Sequence, residues 1–323
     1  MVIDWEHHLS TKKFAEMVKG TVAYDLQLKL AEEYPIDVQL RDMDDAGVDK
    51  AVLTGAPRWN MEECQLFNNE IAKWVEEKPD RFIGFAHAPP LGGEESLNEL
   101  DRAVKDLGFK GVMFRSCIDS NSEDTSKDSA LMDSPDLFPF YKKVVELDVP
   151  LFIHPAYYPL YPHAFPEPLR SRLKTIRSMN YGCGREFDLS VAIIRLVDGG
   201  VMEKFPNLKV VLSHLGGGIS AIIARLWSTV GREGEARKVA EQSMEYFSKI
   251  YVDTAGFRAD IDTLKFSLTK ISPNRIIFGT DYPPELPYPK EIKDFIQKIN
   301  SLNVSDKDKR AILEENANSL LKI

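Results

Sequence analysis

The chain has 323 residues, 43% of them hydrophobic, enough for a large core in one big domain or two ordinary ones. Against 50 Asp and Glu stand 41 Lys and Arg, a net charge of −9 without any basic cluster, which argues against nucleic-acid binding and against a polybasic membrane segment. No apolar run approaches the roughly 18 residues of a membrane span, and Cys64, Cys117 and Cys183, odd in number and in no C-x-x-C spacing, suit a reducing cytoplasm and no thiolate zinc site.

The N-terminus enters a strand-like VIDWE (2–6) at once, with no basic and apolar segments of a signal peptide before it. Further β-rich runs follow: KAVLTG (50–55), RFIGFAHA (81–88), GVMFRS (111–116), PLFIHP (150–155), LKVVLSH (208–214), KIYVDTAG (249–256) and RIIFGTDYP (275–283). Most are continuous apolar runs, as parallel strands buried on both faces should be. Between them lie amphipathic stretches at 61–80, 96–108 and 187–206, the last two ending in a Gly and a Pro stop. Strand alternating with helix eight times predicts a (β/α)8 barrel forming a single domain over residues 1–323. A doubly wound open sheet is the alternative, but no glycine-rich turn follows the first strand. Two polar loops, 116–136 and 155–186, follow strands four and five, at the rim where barrel enzymes build active sites.

Strand alternation lets Glu6 and His8 point the same way and His7 the other. An E-x-H pair at a strand end can chelate one ion, but a solvated strand end looks the same. The rest of the chain decides. His154 ends strand five, His214 ends strand six and Asp281 ends strand eight, all at the rim that Glu6 and His8 occupy. The chain has only 6 histidines, so this gathering is selective. Glu6, His8, His154 and Asp281 offer two imidazoles and two carboxylates, a set suited to a divalent cation. His87, which ends strand three, reads as a hydrogen-bonded core residue. The glycines 216–218 are no phosphate loop, since no Gly-Lys-Ser/Thr follows, and are expected to let backbone approach the pocket.

These segments resemble the amidohydrolase superfamily, and within it the branch of aminocarboxymuconate-semialdehyde decarboxylase and the non-oxidative benzoate decarboxylases. The matching pieces are IDWEHH, RFIGFAHAPP, LGFKGVMFRS, PLFIHPAY, MEKFPNLKVVLSHLGGGISAIIARL and NRIIFGTDYP, spread nearly end to end. The resemblance implies metal ligands at Glu6, His8, His154 and Asp281, with His214 catalytic. Many members begin D-x-H-x-H; here Glu6 replaces the first histidine, as in the γ-resorcylate and carboxyvanillate decarboxylases. Two-metal members carry a carboxylated lysine ending strand four, whereas Lys110 lies at the beginning of that strand, which implies one metal. The expected ion is Mn2+ or Zn2+, with Mg2+ or Fe2+ as alternatives; the added carboxylate favours hard ions over zinc. Arg225, eleven residues past His214, matches an arginine that contacts substrate carboxylate. Arg58 and Trp59 are pocket candidates by position, and His163 and Arg185 are weaker ones.

The expected activity is therefore a mononuclear, metal-dependent, non-oxidative decarboxylation of a hydroxylated aromatic or related unsaturated carboxylic acid. The resemblance assigns proton donation to Asp281, oriented by His214. A hydrolase of amides, esters or lactones, or a hydratase, could use the same pocket, and a metal-binding protein without catalysis would leave His214 idle. The expected partner is a small-molecule acid rather than a nucleic acid or membrane; the cysteine usage leads one to expect a cytoplasmic protein, and relatives with this barrel suggest a homodimer or homotetramer.

Overall fold

The computed structural model describes residues 1–20, 24–55, 60–116, 131–155, 182–228 and 234–323. Each of the eight apolar runs forms a strand: β1 (Ile3–His8), β2 (Lys50–Thr54), β3 (Phe82–Ala86), β4 (Gly111–Arg115), β5 (Leu151–His154), β6 (Val210–Leu212), β7 (Tyr251–Asp253) and β8 (Ile276–Ile277). They pair in parallel and in chain order. The ring closes where β1 meets the segment after β8: Trp5 N donates to the Phe278 carbonyl at 2.9 Å and His8 N to that of Tyr282 at 2.7 Å. This is the (β/α)8 barrel that the alternation of strand and helix predicts.

Three helices, α1 (Lys12–Met17), α2 (Tyr24–Glu33) and α3 (Ile36–Ala46), fill the connection from β1 to β2. On the outside run α4 (Met61–Glu77), α5 (Gly93–Lys105), α6 (Phe138–Leu147), α7 (Arg185–Asp198), α8 (Gly234–Phe247), α9 (Ile261–Ser267) and α10 (Pro289–Asn300). Local chemistry starts and faces them. Asn60 caps α4 by accepting from Glu63 N at 2.9 Å, and α10 begins on Pro289 and buries Ile292, Phe295, Ile296 and Ile299 at helical spacing. The helix expected over 187–206 is interrupted. α7 ends before Gly199, Gly200 takes φ +78, and a short helix resumes at Val201–Lys204. A left-handed glycine cannot continue an α-helix, so the amphipathic pattern spans two pieces.

Side-chain alternation sorts each strand into two layers. Ala51, Leu53, Phe82, Val112, Phe114 and Ile153 pack outward under the helices. Trp5, Val52, Phe85, Met113, Phe152, Val211 and Ile277 fill the barrel. Trp5, Phe85 and Phe152 meet edge to face, with ring centroids 5.2–6.3 Å apart, and form a floor. Two residues beyond Phe85, Met113 and Phe152 come His87, Arg115 and His154, and Asp253 stands two residues beyond Tyr251, which packs against the same floor. On β1 the pairing register shifts between Asp4 and His7, a bulge that lets both Trp5 and Glu6 face inward.

Candidate active site and metal centre

The four residues expected to hold a metal converge. Glu6, His8, His154 and Asp281 each offer one ligand atom, and these atoms lie within 4.8 Å of one another. His154 Nε2 is 3.0 Å from Glu6 Oε1, and His8 Nε2 is 2.9 Å from Asp281 Oδ1 and 3.7 Å from Glu6 Oε1. Both Glu6 oxygens and the Nε2 atoms of His8 and His154 are buried and make no well-formed hydrogen bond among the described residues. Such a group is costly unless something further satisfies it. Donors gathered round one ion with bonds of about 2.1 Å would sit about 3 Å apart, so the spacing suits a shared cation. His154 is also oriented for it. Its Nδ1 lies 2.9 Å from the Pro155 carbonyl, so Nδ1 carries the hydrogen and the Nε2 lone pair faces Glu6.

Electrostatics in the metal-free protein follow from the same packing. Burial would pull the His8 pKa down, but the Asp281 and Glu6 carboxylates close to Nε2 prevail and push it up to about 9. Burial holds His154 below the usual histidine value despite Glu6 beside it. Burial would raise the Asp281 carboxyl, yet His214 and His8 hold it well below the carboxylate range.

His214 lies just beyond β6, where the chain enters a left-handed turn: His214, Leu215 and Gly216 to Gly218 all have positive φ. Its ring is fixed from both sides. Nδ1 is 2.8 Å from Glu186 Oε1 on α7, while Nε2 lies 3.6 Å from Glu6 Oε1 and 3.7 Å from Asp281 Oδ2. Burial opposes a charge here, but Glu186 and Glu6 outweigh it and hold the His214 pKa well above the ordinary value. Its backbone N–H donates to Asp253 Oδ1 at 2.9 Å. Burial, with the Glu6 charge beside it, raises the Asp253 carboxyl well above its usual range. Two glycines make this packing feasible. A Cβ on Gly256 would come within 2.2 Å of the His214 ring, and one on Gly217 within 1.9 Å of the Glu186 carbonyl.

His7 faces away from the cavity, as alternation requires. It stacks on Tyr282 with ring centroids 4.6 Å apart, and its nitrogens contact Asp4 at 3.0 Å and Gln39 at 3.2 Å. Asp4 also accepts from Thr280 N at 2.9 Å and Thr280 Oγ1 at 2.6 Å, tying β1 to the loop that carries Asp281.

Above the metal group lies a cavity of about 120 Å³. Its polar lining is His8, Gln27, His154, Asp281, Arg115 and Arg185, and Leu9, Leu26, Leu30 and Pro284 are among its apolar lining. Sequence reasoning missed Arg115, Glu186 and Asp253. Arg115 and Asp253 close their strands two residues beyond an inward position, the signal that found His154. Glu186 carried no such signal, because an acid in the first turn of a helix is ordinary. His87 is buried against Phe67, centroids 5.0 Å apart, and burial with Arg115 nearby pulls its pKa down to about 3, so it is neutral and belongs to no ligand group. Arg225 is exposed and is not among the described residues that line this cavity. Between it and His214 lie a left-handed turn, a 3-10 turn at Ile219–Ala221 and a π-helical turn at Ala224–Ser228. Arg58, Trp59 and His163 lie outside the described residues.

A buried group of two carboxylates and two imidazoles at the C-terminal mouth of a (β/α)8 barrel defines a metal-centred barrel enzyme. The chain belongs to the amidohydrolase family, whose model matches residues 3–323. It is 26% identical to gamma-resorcylate decarboxylase of Rhodococcus jostii (strain RHA1), over 96% of this chain and 93% of that protein. Against 2-amino-3-carboxymuconate-6-semialdehyde decarboxylase of Dictyostelium discoideum it is 27% identical, over 87% of this chain and 74% of that one. A dihydroxybenzoic acid decarboxylase from Polaromonas sp. JS666, solved with bound manganese and the inhibitor 2-nitroresorcinol, superposes with a TM-score of 0.80 at 26% identity, covering 99% of this chain and 96% of that one.

Proposed function

We propose that the protein is a mononuclear, metal-dependent, non-oxidative decarboxylase of a hydroxylated aromatic carboxylic acid. The observation that carries this is Glu6 in the ligand group, 3.6 Å from the Nε2 of a His214 that Glu186 holds at Nδ1. Two carboxylates neutralise a divalent charge, which favours holding a chelating anion over activating water.

Glu6, His8, His154 and Asp281 would hold one divalent ion, with Mn2+ favoured by the hard oxygen donors and by the manganese in the Polaromonas structure. When bound, the ion would orient the substrate's carboxylate and the neighbouring ring oxygen and withdraw charge from them. Leu9, Leu26 and Leu30 wall the ring and exclude water, while Arg115 and Arg185 bring positive charge to an incoming anion. Glu186 fixes His214 with Nε2–H toward Asp281, and the proton passes through Asp281 to the ring carbon that bears the carboxylate. A C–H bond forms there and the bond to the carboxylate breaks. Its electron pair returns to the ring, and CO2 leaves. No oxidant is required.

The enzyme is further taken to be one domain over residues 1–323, cytoplasmic, and a homodimer or homotetramer. No helix among the described residues is long and apolar enough to cross a membrane. The test is Mn2+ reconstitution without oxygen, then a CO2-release screen over hydroxybenzoates. Turnover of at least one of them by the loaded protein, and none by metal-free protein, is the expected result. Silence across the panel with one bound equivalent of Mn2+ would contradict the reading.

A further inference from the structure

The cavity contains a polar group that the proposed mechanism leaves idle. Gln27 on α2 is 5% exposed and lines the cavity beside Leu26 and Leu30. Its carboxamide has no hydrogen bond among the described residues; only its main-chain carbonyl is engaged, accepting from Ser10 Oγ at 2.8 Å. That bond ties α2 to the exit of β1, two residues after His8, and so fixes where the side chain emerges. Set between Leu26 and Leu30 on an otherwise apolar helical face, the carboxamide is available to pair with a group that enters the cavity.

We infer that Gln27 is a specificity-determining residue that hydrogen-bonds an uncharged hydroxyl on the substrate ring, separate from the oxygen next to the carboxylate. This rests on the function proposed above. The chemistry of the wall selects the group. Leu26 and Leu30 share α2 with Gln27 and, with Leu9, line the cavity and disfavour a second charge beside the amide, whereas Arg115 and Arg185 are the lining residues suited to an anion. A carboxamide both donates and accepts, as a hydroxyl does. A site built to pair a hydroxyl discriminates against the analogue lacking it, because its own polar group is then left unpaired.

The test uses non-reactive ligands, so that it stands apart from turnover. Binding of 2-nitrophenol to the Mn2+-loaded protein is compared with that of the four compounds adding one hydroxyl at each remaining free ring position beside or across from its substituents, C3 to C6. The wild type should bind at least one of the four about 10-fold more tightly than 2-nitrophenol. In both Gln27→Met and Gln27→Asn, checked for unchanged Mn2+ content, that preference should shrink to about twofold or less. A wild type without preference, a preference that survives in a folded variant, or no binding of any of the five would overturn the inference. If the preference appears and vanishes as expected while no hydroxybenzoate releases CO2, the reaction assignment fails and the role of Gln27 stands.

Discussion

At the scale of single residues, a proton and a metal compete for the same lone pairs. Metal-free His8 has its pKa pushed up to about 9, so at pH 7 it carries a proton that a bound ion must displace. His154 is held neutral by burial, and Glu6 and Asp281 are held ionised by the surrounding histidines, so none of these adds a second proton. The sign follows. Metal affinity rises with pH up to about 9 and levels off above it, with about one proton released per ion bound near pH 7. Calorimetry of Mn2+ binding in buffers of different ionisation enthalpy measures that number, and release of none would contradict the assignment of charges. His154→Ala should also lose the tightly bound equivalent, and retention of one ion per chain on elemental analysis would remove His154 from the ligand set. Most of this group was legible in the sequence because strand ends lie on one rim of a barrel. Glu186 was not, since nothing in the spacing brings α7 over β6.

At the scale of elements, the site depends on turns that helical spacing cannot describe. The left-handed run from His214 to Gly218 lets α7 approach closely enough for Glu186 to meet the His214 ring. Ser190 reinforces that approach, its Oγ donating to the carbonyls of Gly216 at 3.2 Å and Gly217 at 3.1 Å. Gly217→Ala would force a Cβ to within 1.9 Å of the Glu186 carbonyl at φ +67. Left-handed strain and overpacking together should lower stability by roughly 2–4 kcal/mol. Denaturant unfolding checks this, and a variant within about 0.5 kcal/mol of the wild type would show that α7 yields freely. The three glycines signalled close backbone approach, but not which element approaches.

At the scale of the whole molecule, the barrel holds its chemistry at the seam where first and last strands join. Eight apolar runs in chain order made the closed ring readable. The seam itself was less so, because its partners are 276 residues apart: Asp4 accepts from both Thr280 N and Oγ1. Asp4→Ala leaves those donors and His7 without their acceptor, which should lower stability by about 3 kcal/mol or more and loosen Asp281 along with it. A melting temperature unchanged from the wild type would argue against the seam as a support of the site. The central claim is that one ring carbon exchanges CO2 for a proton, and running the reaction in D2O with the Mn2+-loaded enzyme and a hydroxybenzoate that it consumes tests it most directly. Release of one CO2 per product, with one deuterium on the carbon that lost it, is the expected result. Incorporation of oxygen from 18O-labelled water into the product, without CO2 release, would contradict it.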